Sequence, residues 1–259
     1  MKRYKIWTML AVLAGATLAA GSQADAVMLD LTTTDAEGTI NAGTFRQVGP
    51  KGTGTGNIDS FVEIQSNKDV EQAYNTRVNG VFDNGSSDVF NHELLLSAVP
   101  IVTVDSVSYR EFLLDINQTG SSPVLSLDEL QLFQSNTPNQ SVETFVGGVL
   151  SLTSSALIFR LDQGGDNLIK LDASLVAPGS GQGDMIARFP DALFDPSVPY
   201  VYLYSRFGET FHNNAGFEEW AVKRGIAESS VPPPTVPEPS SLVLLGLGLV
   251  GIRRRRTTR

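Results

Sequence analysis

Phe112-Leu113-Leu114-Asp115-Ile116-Asn117 decides the fold class, because its side chains alternate with a period of two. Apolar residues take the first, third and fifth positions, and Leu113 and Asp115 stand between them. Tyr200-Val201-Tyr202-Leu203-Tyr204 repeats the arrangement, with three tyrosines at alternate positions. Successive side chains of a β-strand point to opposite faces of the sheet, so this period predicts strands and not helices.

Short runs of β-favouring residues continue outward from these two stretches, separated by clusters of Gly, Pro, Asn, Asp and Ser. We predict strands at Val27–Thr33, Ile58–Ile64, Tyr74–Val78, Pro100–Ser108, Arg110–Ile116, Val124–Phe133, Val142–Val146, Ala156–Leu161, Leu168–Leu175, Met185–Phe189, Tyr200–Ser205 and Glu219–Val222. No segment keeps a helical apolar stripe for three turns. About a dozen short strands predict an all-β fold, a single antiparallel β-sandwich or jelly-roll-like domain over residues 27–230.

The chain has 259 residues and no cysteine. Without its two terminal segments about 210 residues remain, which is enough to bury one sizeable core. Because no disulfide can form, packing and any bound ion must stabilise the fold. The glycine-rich stretch 49–56 is predicted to be a loop, and it lacks the Gly-Lys-Ser/Thr sequence of a phosphate-binding loop.

The negative charge is concentrated in the middle of the chain. The formal net charge is −9, but the N-terminal segment and the tail are both basic. Setting aside three basic residues and one acid at the front, and five arginines and one glutamate at the back, leaves 11 basic and 26 acidic residues. A surface this acidic repels phosphate backbones, so we expect no nucleic-acid partner. It suits either solubility outside the cell or binding of divalent cations.

Residues 1–26 have the organisation of a cleavable export signal. A basic start is followed by an apolar run from Ile6 to Ala20 and by the small-residue site Ala24-Asp25-Ala26. The apolar run of about fifteen residues is shorter than the ~20 that a membrane-spanning helix needs. We therefore predict cleavage by signal peptidase after Ala26, with Val27 as the first residue of the mature chain.

The composition changes abruptly at residue 231. Residues 231–239 are proline-rich and predict an extended linker that ends in Pro237-Glu238-Pro239. Residues 240–252 are uncharged and mostly apolar, and Arg253-Arg254-Arg255-Arg256 follows them. The twelve residues 241–252 would rise only about 18 Å as a helix, well under a ~30 Å hydrocarbon core. The arginine run favours the cytoplasmic side, so we predict a transient membrane anchor over residues 240–252.

This order of Pro-Glu-Pro motif, apolar stretch and basic end resembles the PEP-CTERM sorting signal of exported Gram-negative proteins. The resemblance implies a C-terminal sorting helix over residues 240–259 and processing near Pro237, Glu238 and Pro239 by an exosortase-type membrane protease. It also implies a protein of the cell envelope, cell surface or extracellular matrix, with exopolysaccharide as a partner in biofilm. These residues would be the substrate of another enzyme.

The middle of the chain carries a second, shorter resemblance. Residues 112–117 and 126–130 are similar to central strands of other exported proteins with this signal, and residues 216–220 resemble their last strand. The resemblance implies no activity. Within the last stretch, Phe217 and Trp220 are interpreted as core residues, with sugar stacking as the alternative.

Catalytic motifs are poorly represented. The absence of cysteine excludes thiol catalysis, and the only histidines are His92 and His212. Asn91-His92-Glu93 lacks the second histidine of a zinc-protease helix, and Gly179-Ser180-Gly181 lacks the spacing of a serine nucleophile elbow. We therefore predict a protein that is not an enzyme and has no catalytic or cofactor-binding residues.

Two acidic clusters are candidate calcium sites, because calcium binds six to eight oxygen ligands. In the first, Asp115 and Asn117 share one strand face and Asp128 closes the next strand, so a hairpin would bring their oxygens together. The second cluster contains Asp162 and Asp166 in a glycine-rich turn. Neither matches an EF-hand loop. The alternative is turn chemistry, since hairpin turns require Asp, Asn and Gly in any case.

Three functional hypotheses remain open on these grounds. The preferred one is a non-enzymatic protein of the cell surface or matrix that associates with exopolysaccharide. The first alternative is a calcium-dependent carbohydrate-binding module that uses the acidic clusters and the aromatic residues Tyr200, Tyr202, Tyr204 and Trp220. The second is a secreted polysaccharide hydrolase, which would require two carboxylates in one cleft.

Overall fold

The computed structural model describes residues 25–48, 58–78, 82–85, 87–176, 183–214 and 216–223. Over these ranges it contains 16 β-strands and three single 3-10 turns, and no α-helix. The strands are β1 Met28–Asp30, β2 Glu37–Ile40, β3 Gly43–Gln47, β4 Ile58–Ile64, β5 Glu71–Tyr74, β6 Leu94–Leu95, β7 Ile101–Val104, β8 Val107–Asp115, β9 Val124–Ser135, β10 Val142–Val146, β11 Val149–Leu152, β12 Ser155–Arg160, β13 Leu168–Asp172, β14 Met185–Pro190, β15 Tyr200–Phe207 and β16 Glu218–Lys223.

The first sheet is built around the long strand β9. One edge of β9 pairs with β13 through its first half and with β12 through its second half. The other edge pairs with β15, which continues to β5 and β6. Strand β1 adds a parallel pair at the β13 edge, whereas all other strand pairs in the described residues are antiparallel.

The second sheet runs in the order β2-β3-β14-β8-β16-β4, with β7 also paired to β8. Strand β8 carries the alternating stretch that begins at Phe112. Its apolar positions Phe112 and Leu114, with Ile116 just beyond the strand, enter the main core, while Leu113 and Asp115 face away from it. The period of two has therefore separated the two faces as predicted.

The main core lies between the two sheets. Leu125, Leu127, Leu130 and Leu132 of β9 belong to the same hydrophobic cluster as Phe112 and Leu114 of the opposite sheet. The all-β antiparallel sandwich predicted from the sequence is confirmed. Every predicted strand overlaps an observed one, but β2, β3, β6 and β11 were not predicted, because each of them is only two to five residues long.

A second, smaller core covers the outer face of the first sheet. The hairpin β10–β11 lies over β9 and β15, where Leu150 and Leu152 pack with Tyr202 and Tyr204. Gln131 of β9 fixes the hairpin at both ends of its amide, donating to the Gly148 carbonyl at 2.6 Å and accepting from the Leu150 N–H at 3.0 Å. Both faces of β9 and β15 are consequently buried.

Candidate functional site

The structure separates the residues of the first predicted calcium cluster. Asp115 ends β8 in the second sheet, whereas Asp128 lies on β9 in the first sheet. The expected hairpin between these strands is therefore wrong, because the chain crosses from one sheet to the other between them. Asn117 is exposed, and its backbone carbonyl packs against Gly216, where an added Cβ would lie 1.4 Å from the carbonyl oxygen.

Asp128 is instead used to hold a neighbouring loop. Its Oδ2 accepts the Ser126 hydroxyl at 2.9 Å and the Glu209 N–H at 2.7 Å. Ser126 Oγ in turn accepts the Phe211 N–H at 2.9 Å. The carboxylate thus orders the chain that follows β15.

Asp115 belongs to a row of carboxyl groups on the outer face of the second sheet. Glu219 of β16 stands directly opposite both Glu63 of β4 and Asp115 of β8. Asp184, just before β14, forms a side-chain hydrogen bond with Asp115, and its Oδ2 accepts the Ile116 N–H at 2.7 Å. We call Glu63, Glu219, Asp115 and Asp184 the carboxylate row.

Burial and mutual repulsion shift the acidity of this row. Burial is the main cause that raises the pKa of Asp184 to about 8. The hydrogen bond from the Ile116 N–H opposes this shift, and the neighbouring Asp115 charge adds to it. Burial, followed by the charges of Asp115 and Glu63, raises the pKa of Glu219 to about 7. Like charges on directly opposite positions of adjacent strands are unfavourable. Protonation of part of the row relieves this repulsion.

The second predicted cluster forms a structured turn. Asp162 Oδ1 accepts the Asn167 N–H at 2.8 Å, and its other oxygen lies 3.8 Å from the Arg160 guanidinium. Burial, and then the nearby Glu129 charge, raises the pKa of Asp162 to about 7. Asp166 is exposed. The contacts of Asp162 are those of the turn interpretation.

The five predicted calcium residues therefore lie at three separate places. Nowhere in the described part of the chain do three or more His, Asp or Glu side chains form a group that could hold a metal ion. Calcium binding at Asp115, Asn117, Asp128, Asp162 and Asp166 stays a prediction.

Three of the five aromatic residues considered for sugar stacking are inside the protein, whereas Tyr200 and Phe217 are half-buried. Tyr202, Tyr204 and Trp220 are each 0% exposed. The Trp220 indole crosses the core from the second sheet and donates to Ser205 Oγ of the first at 3.0 Å. The rings of these three residues offer no accessible face, which weakens the aromatic argument for the carbohydrate-binding alternative and confirms Trp220 as a core residue.

Both histidines make local backbone contacts. His92 Nδ1 is 3.0 Å from the Glu93 carbonyl oxygen, and His212 Nδ1 is 2.9 Å from that of Gly208. Neither histidine ring is hydrogen-bonded to a carboxylate within the described residues.

A polar groove of about 490 Å³ opens between the β10–β11 hairpin, β12 and the turn before β15. Its lining is rich in hydroxyl and amide groups, and apart from backbone and apolar atoms it carries two carboxylates: Gln134, Ser135, Asn136, Glu143, Ser151, Leu152, Thr153, Ser154, Ser155, Ala156, Ile158, Leu193, Asp195 and Val198. Sequence reasoning missed this site. The run Ser151-Leu152-Thr153-Ser154-Ser155 was its only local signal, and such a run is also typical of a simple turn.

Gln134 holds the floor of the groove in place. Its amide donates to the Asp195 and Val198 carbonyls at 3.0 and 3.1 Å, and its oxygen accepts the Asp195 N–H at 2.8 Å. Because this glutamine is buried on β9, the loop wall is tied to the centre of the first sheet. The floor of the groove is therefore held by contacts within the protein itself.

The tail supplies the observation that identifies how the protein is sorted. Residues 235–256 match the family model described as the PEP-CTERM protein-sorting motif. The chain carries a PEP-CTERM sorting motif. The match confirms the resemblance recognised at Pro237, Glu238, Pro239 and the arginine run 253–256. Searches of curated proteins and of solved structures found no match.

The PEP-CTERM motif indicates an exported, envelope-directed protein that is processed by an exosortase. Several predictions concerning the ends fall outside the described residues, namely the export signal with Ala24, the linker, the sorting helix and the anchor at 240–252. Ala26 is described and exposed. Among the described residues, no helix has the length and apolar character to cross a membrane.

Replacing Pro237, Glu238 and Pro239 by alanine is expected to leave the tail uncleaved. Intact-mass measurement on the exported protein, made in a host with an active exosortase, would show a chain that retains residues up to Arg259. A matched triple replacement of Pro232, Pro233 and Pro234 lies upstream of the matched residues 235–256 and should be processed normally. Equal processing of both variants would exclude a role for the Pro-Glu-Pro motif.

Proposed function

We propose that this protein is a non-enzymatic component of the cell surface or extracellular matrix that binds uncharged exopolysaccharide through the polar groove. The groove carries the proposal, because it presents several hydroxyl and amide groups on a fixed floor. The PEP-CTERM motif supports delivery to the place where such polymers are found. Transient anchoring through residues 240–252, before exosortase processing, would present the β-sandwich outside the membrane.

The charge of the groove favours a neutral polymer. Glu143 and Asp195 are exposed in its lining, and no lysine or arginine is among the lining residues. An acidic polysaccharide would meet two carboxylates without a cation to balance them. A neutral chain would instead be held by hydrogen bonds to serine, threonine and asparagine side chains, with Leu152 and Ile158 providing apolar contact.

The buried carboxyl pair Asp115 and Asp184 does not have the geometry of a glycoside hydrolase site. Glycoside hydrolases hold their two carboxyl groups about 5 to 9.5 Å apart, on either side of the scissile bond. Asp115 and Asp184 are instead hydrogen-bonded directly to each other and are both buried. No substrate oxygen or water fits between two groups in direct contact.

Binding of purified exopolysaccharide from the producing cells tests the proposal, with dextran as a neutral reference polymer and alginate as an acidic one. Calorimetry or affinity electrophoresis should detect binding to the neutral polymers and none to alginate. Thr153→Trp, which fills the groove, is expected to weaken binding by about tenfold or more.

Thr144→Trp is the matched control, because Thr144 is also exposed on the β10–β11 hairpin but does not line the groove. It should bind like the unmodified protein. Equal affinity in both variants would move the binding site elsewhere, and absence of binding to every polymer would refute the proposed function.

A further inference from the structure

The hairpin formed by β7 and the start of β8 projects beyond the rest of the second sheet. Pairing of β14 with β8 ends at Tyr109, and pairing of β16 with β8 ends at Leu113. Strand β7 therefore pairs only with residues 107–110. The two residues of the connecting turn, Asp105 and Ser106, have positive φ angles of 48° and 67°, as a tight two-residue hairpin turn requires.

One edge of β7 is left with unpaired backbone groups. The Glu111 N–H donates to the Pro100 carbonyl at 3.1 Å, which makes these two opposite residues a hydrogen-bonded pair. Hydrogen-bonded and non-hydrogen-bonded pairs alternate along an antiparallel ladder, so Val102 bonds to β8, whereas the backbone groups of Ile101 and Thr103 point away from it. Within the described residues, no hydrogen bond reaches the backbone N–H or C=O of Ile101 or Thr103.

Several other strand edges are protected. The Gly85 N–H donates to the Glu63 carbonyl on the outer edge of β4 at 2.9 Å, and the Asp83 N–H donates to the Gln72 carbonyl on that of β5 at 2.9 Å. Strand β2 carries Glu37, and the pairings of β10 and β12 are interrupted by register shifts. Covering segments, charges and bulges all keep an edge from pairing with another chain. Strand β7 contains no charge and no proline, and its register is regular.

The side chains of this hairpin are apolar and accessible. Strand β7 has the sequence Ile-Val-Thr-Val. Ile101 is 53% exposed and Val107 is 45% exposed, while Val102 and Val104 are half-buried. An exposed, uncharged edge of β-branched residues is a template for an added strand. Because its free groups are backbone N–H and C=O, the partner must present an extended backbone.

We propose that β7 is a self-association surface, at which two copies of the protein pair antiparallel about a two-fold axis through Val102. In this register Ile101 of one copy lies directly opposite Thr103 of the other, so their outward backbone groups exchange hydrogen bonds. Val102 stands beside its own counterpart, which adds contact between β-branched side chains. The same edge is used on both copies, so the pairing closes as a dimer and does not propagate.

The distribution of charge favours a second copy as the occupant. Between its basic ends the protein has 26 acidic and 11 basic residues, so two copies can approach only where their carboxylates stay apart. The acidic residue nearest to β7 in sequence is Asp105. In the proposed register the two Asp105 residues are six strand positions apart, about 20 Å. That distance exceeds the Debye length of about 8 Å at physiological ionic strength. Glu111, on the neighbouring strand, is already paired with Arg188 at 2.9 Å.

Sedimentation equilibrium of the exported, processed protein at physiological ionic strength tests the proposal. A short strand pair buries less than the ~1,200 Å² of a standard interface, so we expect a dissociation constant on the order of 100 μM. The mean mass should therefore rise toward twice the monomer mass between about 10 μM and 1 mM protein. Thr103→Lys, which places a charge on the edge, should weaken association by about tenfold or more. Thr103→Pro removes the outward N–H without breaking a bond to β8 and should have the same effect.

Ser108→Lys is the matched control. Ser108 stands opposite Thr103 on β8 and is also exposed, so it adds the same charge to the same hairpin away from the β7 edge. This variant should associate like the unmodified protein. A protein that stays monomeric at about 1 mM, or association that is undiminished in either Thr103 variant, would overturn the proposal. Slow amide hydrogen exchange at Ile101 and Thr103 in a monomer would overturn it as well, because another segment would then cover the edge.

Discussion

In EDTA, the protein is expected to unfold at a higher temperature near pH 5.5 than near pH 8.5, contrary to the usual acid sensitivity of proteins. Asp184 and Glu71 have their pKa raised to about 8, and Glu219 and Asp162 to about 7, chiefly by burial. The folded protein therefore holds protons that the unfolded chain releases above its ordinary carboxyl pKa of about 4.

The sign follows from the direction of these shifts. A group that binds its proton more tightly in the folded state contributes stability that is fully present below the unfolded pKa. That contribution decreases as the pH rises from about 4, and it is gone once the pH passes the folded pKa near 7 to 8. Because one pKa unit corresponds to about 1.4 kcal/mol, a single group raised by about three units would lower the free energy of unfolding by an amount on the order of 4 kcal/mol between these limits.

Asp184→Asn separates the carboxylate row from the other carboxyl groups. The amide keeps an oxygen for the Ile116 N–H and gives Asp115 a permanent donor, so it reproduces the protonated state at every pH. We expect a smaller decrease in the unfolding temperature from acid to alkaline pH. Asp195→Asn is the control, because Ser197 lowers the pKa of this exposed carboxyl. A midpoint that rises from pH 5.5 to 8.5 in the unmodified protein would contradict the prediction.

Arg160→Met is expected to destabilise the fold by about 3 kcal/mol or more, because it leaves a buried charge unpaired. Arg160 Nε lies 2.7 Å from Glu129 Oε2, and the Glu129 side chain is fully buried beneath the hairpin. Urea unfolding would measure the loss as a lower midpoint concentration with an unchanged slope.

Adding Glu129→Gln to Arg160→Met should recover much of the lost stability, since the buried charge is then removed together with its partner. Arg46→Met is the control for loss of an arginine. Its ion pair with Asp35 is exposed, at 43% and 63% for the two side chains, so its removal should change stability by less than about 1 kcal/mol. If the double variant is no more stable than Arg160→Met, the arginine acts through packing and not through Glu129.

Strand positions could be read from the sequence because the side-chain period is local. Ile58–Ile64 and Val142–Val146 were predicted with the bounds that the structure gives. The sequence was less informative about which faces of a strand are covered by other parts of the protein. Tyr202 and Tyr204 are buried because the hairpin β10–β11 folds back over them. The sequence of Tyr200–Phe207 alone does not predict that this face of the strand is covered.

The candidate sites depended still more on tertiary structure. The polar groove forms only where β12, the β10–β11 hairpin and the turn before β15 meet. The buried glutamates Glu71 and Glu218 lie far apart in sequence, and each is positioned by the pairing of its own strand, β5 with β15 in the first sheet and β16 with β4 in the second. The hairpin expected between Asp115 and Asp128 failed for the same reason, as sequence proximity does not fix which sheet a strand joins.

The sequence by itself determined two properties of this protein, its all-β class and its sorting by a PEP-CTERM motif. Both are local: alternation repeats within a few residues, and the sorting motif is a linear order of residues 235–256. The tertiary structure alone decided which carboxylates are buried together, which aromatic rings are hidden and where a polar groove opens. These three features depend on contacts between residues far apart in the chain. Such contacts form only when the strands pair and the two sheets pack against each other.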